Sequence, residues 1–305
     1  MTALRRRRSA PSRRVWLAAA AAVAGGCSAP ADAPDAGPPR VAASIFPLGD
    51  LAAHVAGDDV RVDVLVPPRA DPSTFEPSPR QLRELSSARA FLIVGGGMDD
   101  WMVEVPGTLD GIPVVRMNEG LALRAGGHGE GTGDPHVWLD PMLVREHWLP
   151  RIVAALAGAH PEARAAIEER GAALADSLAA LDLWMRERLA PVRGQAFVAT
   201  HGAWSYLGAR YGVSELGAIY ESPGREPSAR ALAALVDAAR AAGGRAVFTE
   251  PQLGETGARA LAGELGVPVV VLDPLGGPGL EGRDSYLAMM RFNTEQIARA
   301  LGESR

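Results

Sequence analysis

The sequence predicts an α/β protein made of two (βα)4-like lobes with parallel sheets, joined by one long rigid helix. Three observations carry this. From Val41 onward, short apolar runs alternate with helix-period segments, the pattern of βα units feeding a mainly parallel sheet. Pro161–Leu189 holds one amphipathic stripe, and a helix of that length reaches roughly 45 Å, more than one small lobe needs. After Pro191 and Gly194 the strand–helix alternation resumes and runs to the C-terminus.

The first residues stand apart from this pattern. Arg5–Arg8 and Arg13–Arg14 form a basic head, and Val15–Ala24 is apolar but too short to span a bilayer. Small residues then lead to Cys27, completing a three-part export signal over residues 1–26. General secretion is the expected route, with Ser12–Leu17 resembling a twin-arginine signal as the alternative. Ala24-Gly25-Gly26-Cys27 resembles a bacterial lipobox, with Ala in place of the usual first Leu. This places a lipid on Cys27, the single cysteine. The Pro- and Ala-rich stretch that follows makes residues 27–40 a flexible tether.

The N-terminal lobe is expected over 41–160. Strands are predicted at Val41–Phe46, Val60–Val66, Phe91–Gly95 and Val114–Met117, and helices at Leu48–Ala56, Pro79–Ala88 and Met142–Ala159. The connecting helix takes 161–191. Pro161 suits its first turn, and Ile167, Leu174, Leu178, Leu181, Met185 and Leu189 form its apolar stripe. The C-terminal lobe takes 192–305. Its strands are expected at Ala196–Thr200, Glu215–Ile219, Ala246–Thr249 and Val267–Leu272. Its helices are expected at Ala203–Tyr211, Ser228–Ala242, Thr256–Leu265 and Asp284–Leu301.

Charge narrows the partners. The formal net charge is −5, and it becomes −11 without the six arginines of the leader. Nucleic acid is therefore not expected as a partner, because phosphate binding needs basic patches. Every basic residue is arginine, which together with abundant Ala and Gly reads as compositional bias.

Three metal-capable side chains fall on sharp junctions. His136 lies in Asp134-Pro-His-Val-Trp-Leu-Asp140-Pro141, His201 follows the strand at 196–200, and Asp273 precedes Pro274 after the strand at 267–272. Ligands of open α/β sheets bind outside the carboxyl ends of strands, and clefts between lobes favour small ligands. Each residue alone has an ordinary structural reading, as a helix cap, a strand-end histidine or a turn cap. Placed together at matching strand ends, two imidazoles and a carboxylate suit a borderline divalent cation such as zinc. Glu250 also follows a strand end. Gly95–Gly97 lacks the Lys-Ser/Thr of a phosphate loop and reads as a tight turn. Trp138 and Trp204 read as packing around the donors, and His54, His147 and His160 as surface residues.

From Val41 to the C-terminus the chain resembles the periplasmic metal-binding lipoproteins of zinc and manganese ABC importers, the cluster A-I substrate-binding proteins. The likeness is carried by Phe46-Pro47-Leu48, Asp71–Pro79, the 134–141 motif, Thr200–Trp204 with Tyr211-Gly212, Glu226-Pro227-Ser228 and Glu250-Pro251-Gln252. Asp273–Gly276 and Tyr286 with Met290 and Asn293 extend it. The resemblance implies the same two-lobed, helix-linked fold and assigns three metal ligands to His136, His201 and Asp273. It also exposes a departure, since Ser73 stands where the family carries its first histidine ligand. Three strong donors remain. Water ranks first as the fourth, His128 of the Gly126–Gly133 loop second and Glu250 third, with Ser73 itself a weak donor.

Histidine at position 201 goes with zinc-type sites in the family, and imidazole suits zinc better than manganese. The resemblance therefore implies a monomeric receptor on the periplasmic or extracellular face, lipid-anchored through Cys27. It would capture Zn2+, with Mn2+ second, and deliver it to an ABC importer permease without turnover. A long connecting helix implies modest lobe closure. Two rivals stand: a zinc metalloenzyme with an open water position and Glu250 or Glu76 as base, and a metal-buffering or adhesive lipoprotein.

Overall fold

The computed structural model describes residues 37–103, 109, 111–126, 133–220 and 228–302. The expected leader, Cys27, most of the tether and His128 lie outside the described residues.

The first sheet is built from β1 (Arg40–Ala43), β2 (Arg61–Val64), β3 (Phe91–Ile93) and β4 (Val114–Arg116), all parallel in the order β2-β1-β3-β4. Val41, Ala43, Phe91, Leu92 and Ile93 are wholly buried. This is the unbroken apolar composition of strands covered on both faces. Edge strand β2 keeps Arg61 and Asp63, which suits a border with water. Helix α1 (Phe46–Ala56) begins two residues before its expected start because Pro47 stands in its first turn and presets a helical φ. Helix α2 (Pro79–Leu85) starts on a capping box formed by Ser78 and Gln81.

The helix expected over 142–159 is broken in the structure. A single turn α3 (Pro141–Leu143) passes into a π-helical turn over Val144–Trp148, then into α4 (Leu149–Ala159). Pro150 supplies the reason. It has no N–H and its ring would crowd the carbonyl four residues back, so the chain widens one turn before it.

Helix α5 (Arg164–Leu189) follows a 3-10 turn over Pro161–Ala163. Its expected stripe is buried, with Leu178, Leu181 and Met185 fully inaccessible. One end is held to the first lobe, where Arg170 donates to the carbonyls of Val55 and Ala56 at 2.7 and 2.8 Å. The other end meets the second lobe, where Tyr211 donates to Asp182 at 3.1 Å and Arg188 pairs with Glu295 at 2.7 Å.

The second lobe repeats the first. β5 (Ala196–His201), α6 (Ser205–Tyr211), β6 (Ser214–Tyr220), α7 (Ala229–Ala241), β7 (Val247–Thr249), α8 (Thr256–Leu265) and β8 (Val269–Val271) follow in turn. Their parallel sheet has the order β6-β5-β7-β8. In both sheets the order reverses beside the first strand, between β1 and β3 and between β5 and β7. The last helix, α9 (Tyr286–Gly302), returns to the first lobe, where the Tyr286 amide donates to Asp50 of α1 at 2.8 Å. One apolar core runs through both lobes along α5 and α9, and a smaller cluster lies under α7 and α8.

Candidate metal centre

The centre is built first on Asp134. Its Oδ1 accepts the backbone N–H of His136 at 2.9 Å and pairs with His136 Nδ1 at 2.7 Å. Both residues are almost wholly buried. That bond fixes the imidazole plane and directs Nε2 away from Asp134. Asp134 is itself held by the second lobe, since Ser205 donates to its Oδ2 and Tyr206 donates to its carbonyl at 2.8 Å. Trp138 adds a second clasp, donating from Nε1 to the carbonyl of Pro274 at 2.7 Å, while Tyr286 donates to the carbonyl of Trp138 at 2.7 Å.

His201 closes β5, and Glu250 directly follows β7. These two strands flank the point where the second sheet reverses its order, the position at which open α/β sheets form a ligand crevice. The His201 ring lies 4.9 Å from that of His136, centroid to centroid, in an edge-to-face arrangement. Its Nδ1 is 3.4 Å from Oε2 of Glu250. His136, His201 and Glu250 line a cavity with Asp71, Ser73 and Met98, whose internal volume is about 30 Å³. A water needs roughly 10–15 Å³ on that measure, so the space suits an ion with a water or two.

Ser73 faces this cavity as the serine expected at the depleted position. Its hydroxyl donates to Asp71 at 2.7 Å and its amide to the same oxygen at 2.9 Å. Asp273 lies deeper. It is fully buried, and the next two residues, Pro274 and Leu275, line the cavity. Its Oδ1 accepts from Gln252 Nε2 at 3.2 Å and from the amides of Leu275 and Gly276 at 3.1 and 2.9 Å. Its Oδ2 pairs with Arg283 at 3.1 Å. Gly276 is required there, because its φ is 63° and a Cβ would stand 2.6 Å from the carbonyl of Arg283. Among the described residues no three His, Cys, Asp or Glu side chains already surround one ion position. The donors stand side by side with the His201 ring turned towards Glu250.

The electrostatics follow from burial and pairing. Burial pushes the His136 imidazole below its ordinary range, and the Asp134 bond offsets only part of this. Burial acts on His201 in the same direction, but the Glu250 carboxylate outweighs it and holds His201 above the ordinary range. Asp134 is raised by burial yet ends below its usual value because His136 stabilises the anion. Glu215, on β6 near His201, is pushed up to about 8, chiefly by burial.

The structure thus brings His136 and His201 together and sets Asp273 in the wall next to them. Sequence reasoning had not given Asp134 a task, although an acid two residues before a buried histidine is a readable signal. The pairing of His201 with Glu250 depends on strand order and has no local signal. Gly95–Gly97 is the tight turn expected, with φ between 73° and 88°. It is closed by buried Asp99, which accepts from the amides of Val94 and Gly95 at 2.8 and 2.7 Å.

Two parallel α/β lobes, bridged by one helix and enclosing a cavity of ionic size, define a helix-linked solute-binding protein. The chain belongs to the ZnuA family, zinc-uptake complex component A, periplasmic, whose model matches residues 41–300. It is 27% identical over 275 residues to the zinc-binding lipoprotein AdcA of Streptococcus pneumoniae serotype 4 (strain ATCC BAA-334 / TIGR4), covering 85% of this chain and 55% of AdcA. It is 26% identical over 279 residues to the high-affinity zinc uptake system protein ZnuA of Bacillus subtilis (strain 168), covering 86% of this chain and 87% of that protein. A crystal structure of ZnuA superposes with a TM-score of 0.77 at 30% identity, covering 87% of this chain and 99% of that one. The chain spans about half the length of the AdcA proteins it matches. The expected family and fold class are both borne out.

Proposed function

We propose that this protein is an extracytoplasmic receptor that captures a divalent cation, zinc in preference to manganese, and delivers it to the permease of an ABC importer. The observation that carries the reading is the meeting of His136 from one lobe and His201 from the other beside a cavity of about 30 Å³. Two imidazoles select a borderline cation over the oxygen-loving ones. An oxygen donor from the second lobe completes the set, the role that the resemblance assigns to Asp273. Zinc is named in both curated relatives described above.

The shared core and the clasps at Trp138 and Tyr206 support modest lobe closure. The reading keeps 1–26 as a leader removed before a lipidated Cys27 and 27–40 as a tether, of which only 37–40 are described and Arg40 already opens β1. The lobes are then assigned to 41–160 and 192–305, with 161–191 connecting them and the receptor acting as a monomer. Among the described residues no helix is long and apolar enough to cross a membrane.

The test is metal analysis of chelator-stripped protein refilled from an equimolar zinc–manganese mixture. One zinc per chain is expected, with loss of zinc in His136→Ala and His201→Ala. Zinc retained in both variants, or manganese taken up in preference, would overturn the reading.

A further inference from the structure

We propose that Arg283 is a competitor for the cargo built into the second lobe. It holds Oδ2 of Asp273 while the site is empty, yields that oxygen when a cation enters, and takes it back on release. The proposal rests on the reading of Asp273 as the oxygen donor of the site and adds the residue that limits how tightly that donor binds.

The two oxygens of Asp273 are held differently. Oδ1 belongs to the turn, accepting from the amides of Leu275 and Gly276 at 3.1 and 2.9 Å and from Gln252 at 3.2 Å. Two of these donors are main-chain groups of the turn that Asp273 itself opens, so a ligand could take Oδ1 only by unmaking the turn. Oδ2 has one partner among the described residues, Nη1 of Arg283 at 3.1 Å. The main chain of Asp273 is fixed as well. Its N–H donates to Asn293 of α9 at 2.8 Å, and its carbonyl accepts from the same side chain at 2.7 Å. A cation therefore has Oδ2 to use, and Arg283 stands on it.

Arg283 competes with the cation because of its charge. A guanidinium keeps its proton at any pH the receptor meets, so it cannot make way by becoming neutral. Two positive charges on one carboxylate oxygen repel, and solvent screens this poorly where the carboxylate is wholly buried. The pairing is suited to release. It runs through one N–H of Arg283, while Nε is buried with no hydrogen-bond partner among the described residues, so it lacks the second bond of a two-pronged clamp. The guanidinium also has somewhere to rest. Its Cζ lies 4.9 Å from the centroid of the Phe292 ring, within cation–π range, and the side chain is 20% exposed. Without Arg283 the empty site would bury an anion with no counter-charge, which is strongly unfavourable. With it, the metal-free receptor is satisfied and the cargo has to displace a cation to bind.

The test uses the full chain stripped of metal, with zinc affinity from chelator competition, zinc release followed by stopped flow, and melting temperatures with and without zinc. A hydrogen bond to a charged group commonly shifts an equilibrium by roughly ten- to a hundredfold. Arg283→Gln is therefore expected to bind zinc at least about tenfold more tightly, through slower release. Its metal-free melting temperature should fall, so that zinc raises it further than in the parent. Arg283→Met keeps the stem over Phe292 and gives the same tightening if the glutamine variant folds poorly. Arg283→Lys keeps the charge and should stay within about threefold of the parent. Unchanged or weaker zinc binding in both neutral variants would overturn the proposal, the weaker case making Arg283 a support for Asp273. Asp273→Asn separates the two readings. If it binds zinc like the parent, Asp273 is not the donor and both readings fall. If it loses zinc while neither neutral variant tightens, the donor stands and Arg283 is no competitor.

Discussion

Asp134 is the residue whose removal tests the design of the pocket most directly. It holds the His136 ring by a 2.7 Å bond to Nδ1 and holds the His136 backbone by a 2.9 Å bond. Both residues are almost wholly buried, Asp134 at 2% and His136 at 3% exposure. A carboxylate behind a ligating histidine fixes its tautomer and raises its basicity, and losing one costs about 10–100-fold in metal affinity. Two replacements separate these contributions. Asp134→Asn keeps an acceptor for Nδ1 but loses the charge, so about tenfold weaker zinc binding is expected, roughly 1.4 kcal/mol. Asp134→Ala loses the orientation too, so about 100-fold is expected, roughly 2.7 kcal/mol. Zinc affinity would be measured by competition with a chromophoric chelator at pH 7.5, with the metal-free melting temperature as a folding control. Parent-like zinc binding by Asp134→Ala would refute the argument that His136 acts only when its ring is held from behind.

Three further predictions probe separate parts of the molecule. Ser73→His places a third imidazole on the cavity wall and should tighten zinc by at least about tenfold, the scale of one added donor bond; unchanged affinity in the same competition assay would dismiss the account of a depleted position. Glu215→Gln should stabilise the fold increasingly as pH rises from 5 to 8. The folded carboxyl keeps its proton up to about 8 whereas an unfolded one loses it near 4.5. The folded state therefore binds more protons across that window, and the parent loses about 1.4 kcal/mol per pH unit that the glutamine variant does not. A melting-temperature gap that stays constant between pH 5.5 and 8.5 would contradict this. Leu178→Ala, in the fully buried stripe of α5, should cost about 2–5 kcal/mol and shift one cooperative transition. Two separate transitions in calorimetry would show that the lobes do not share a core.

Much of the fold was legible because its signals are local. Alternating apolar runs announced the strands, and the stripe from Ile167 to Leu189 announced α5. Boundaries slipped where a single residue governs geometry: Pro47 drew α1 forward, and Pro150 forced the π-helical turn that divides the segment expected as one helix. The site was half legible. His136 and His201 were marked by their junctions, and the serine at position 73 by its departure from the family pattern. The task of Asp134 was readable in its spacing from His136 but depends on both side chains being buried. The contrast between Glu250 and Asp273 had no local signal, since both are acids at strand ends followed by proline.

The sequence by itself determined that two parallel α/β halves would form, that one helix would join them, and that histidines would sit at strand ends. These follow from periodicity and from residue chemistry within short windows. Only the tertiary structure decided which strand ends are neighbours, and therefore that His201 stands beside Glu250 and across from His136. The physical reason is that strand order and burial depend on contacts between residues distant in the chain. Whether a carboxylate meets an imidazole, as Glu250 does, or an arginine, as Asp273 does, is set by what the folded chain packs against it.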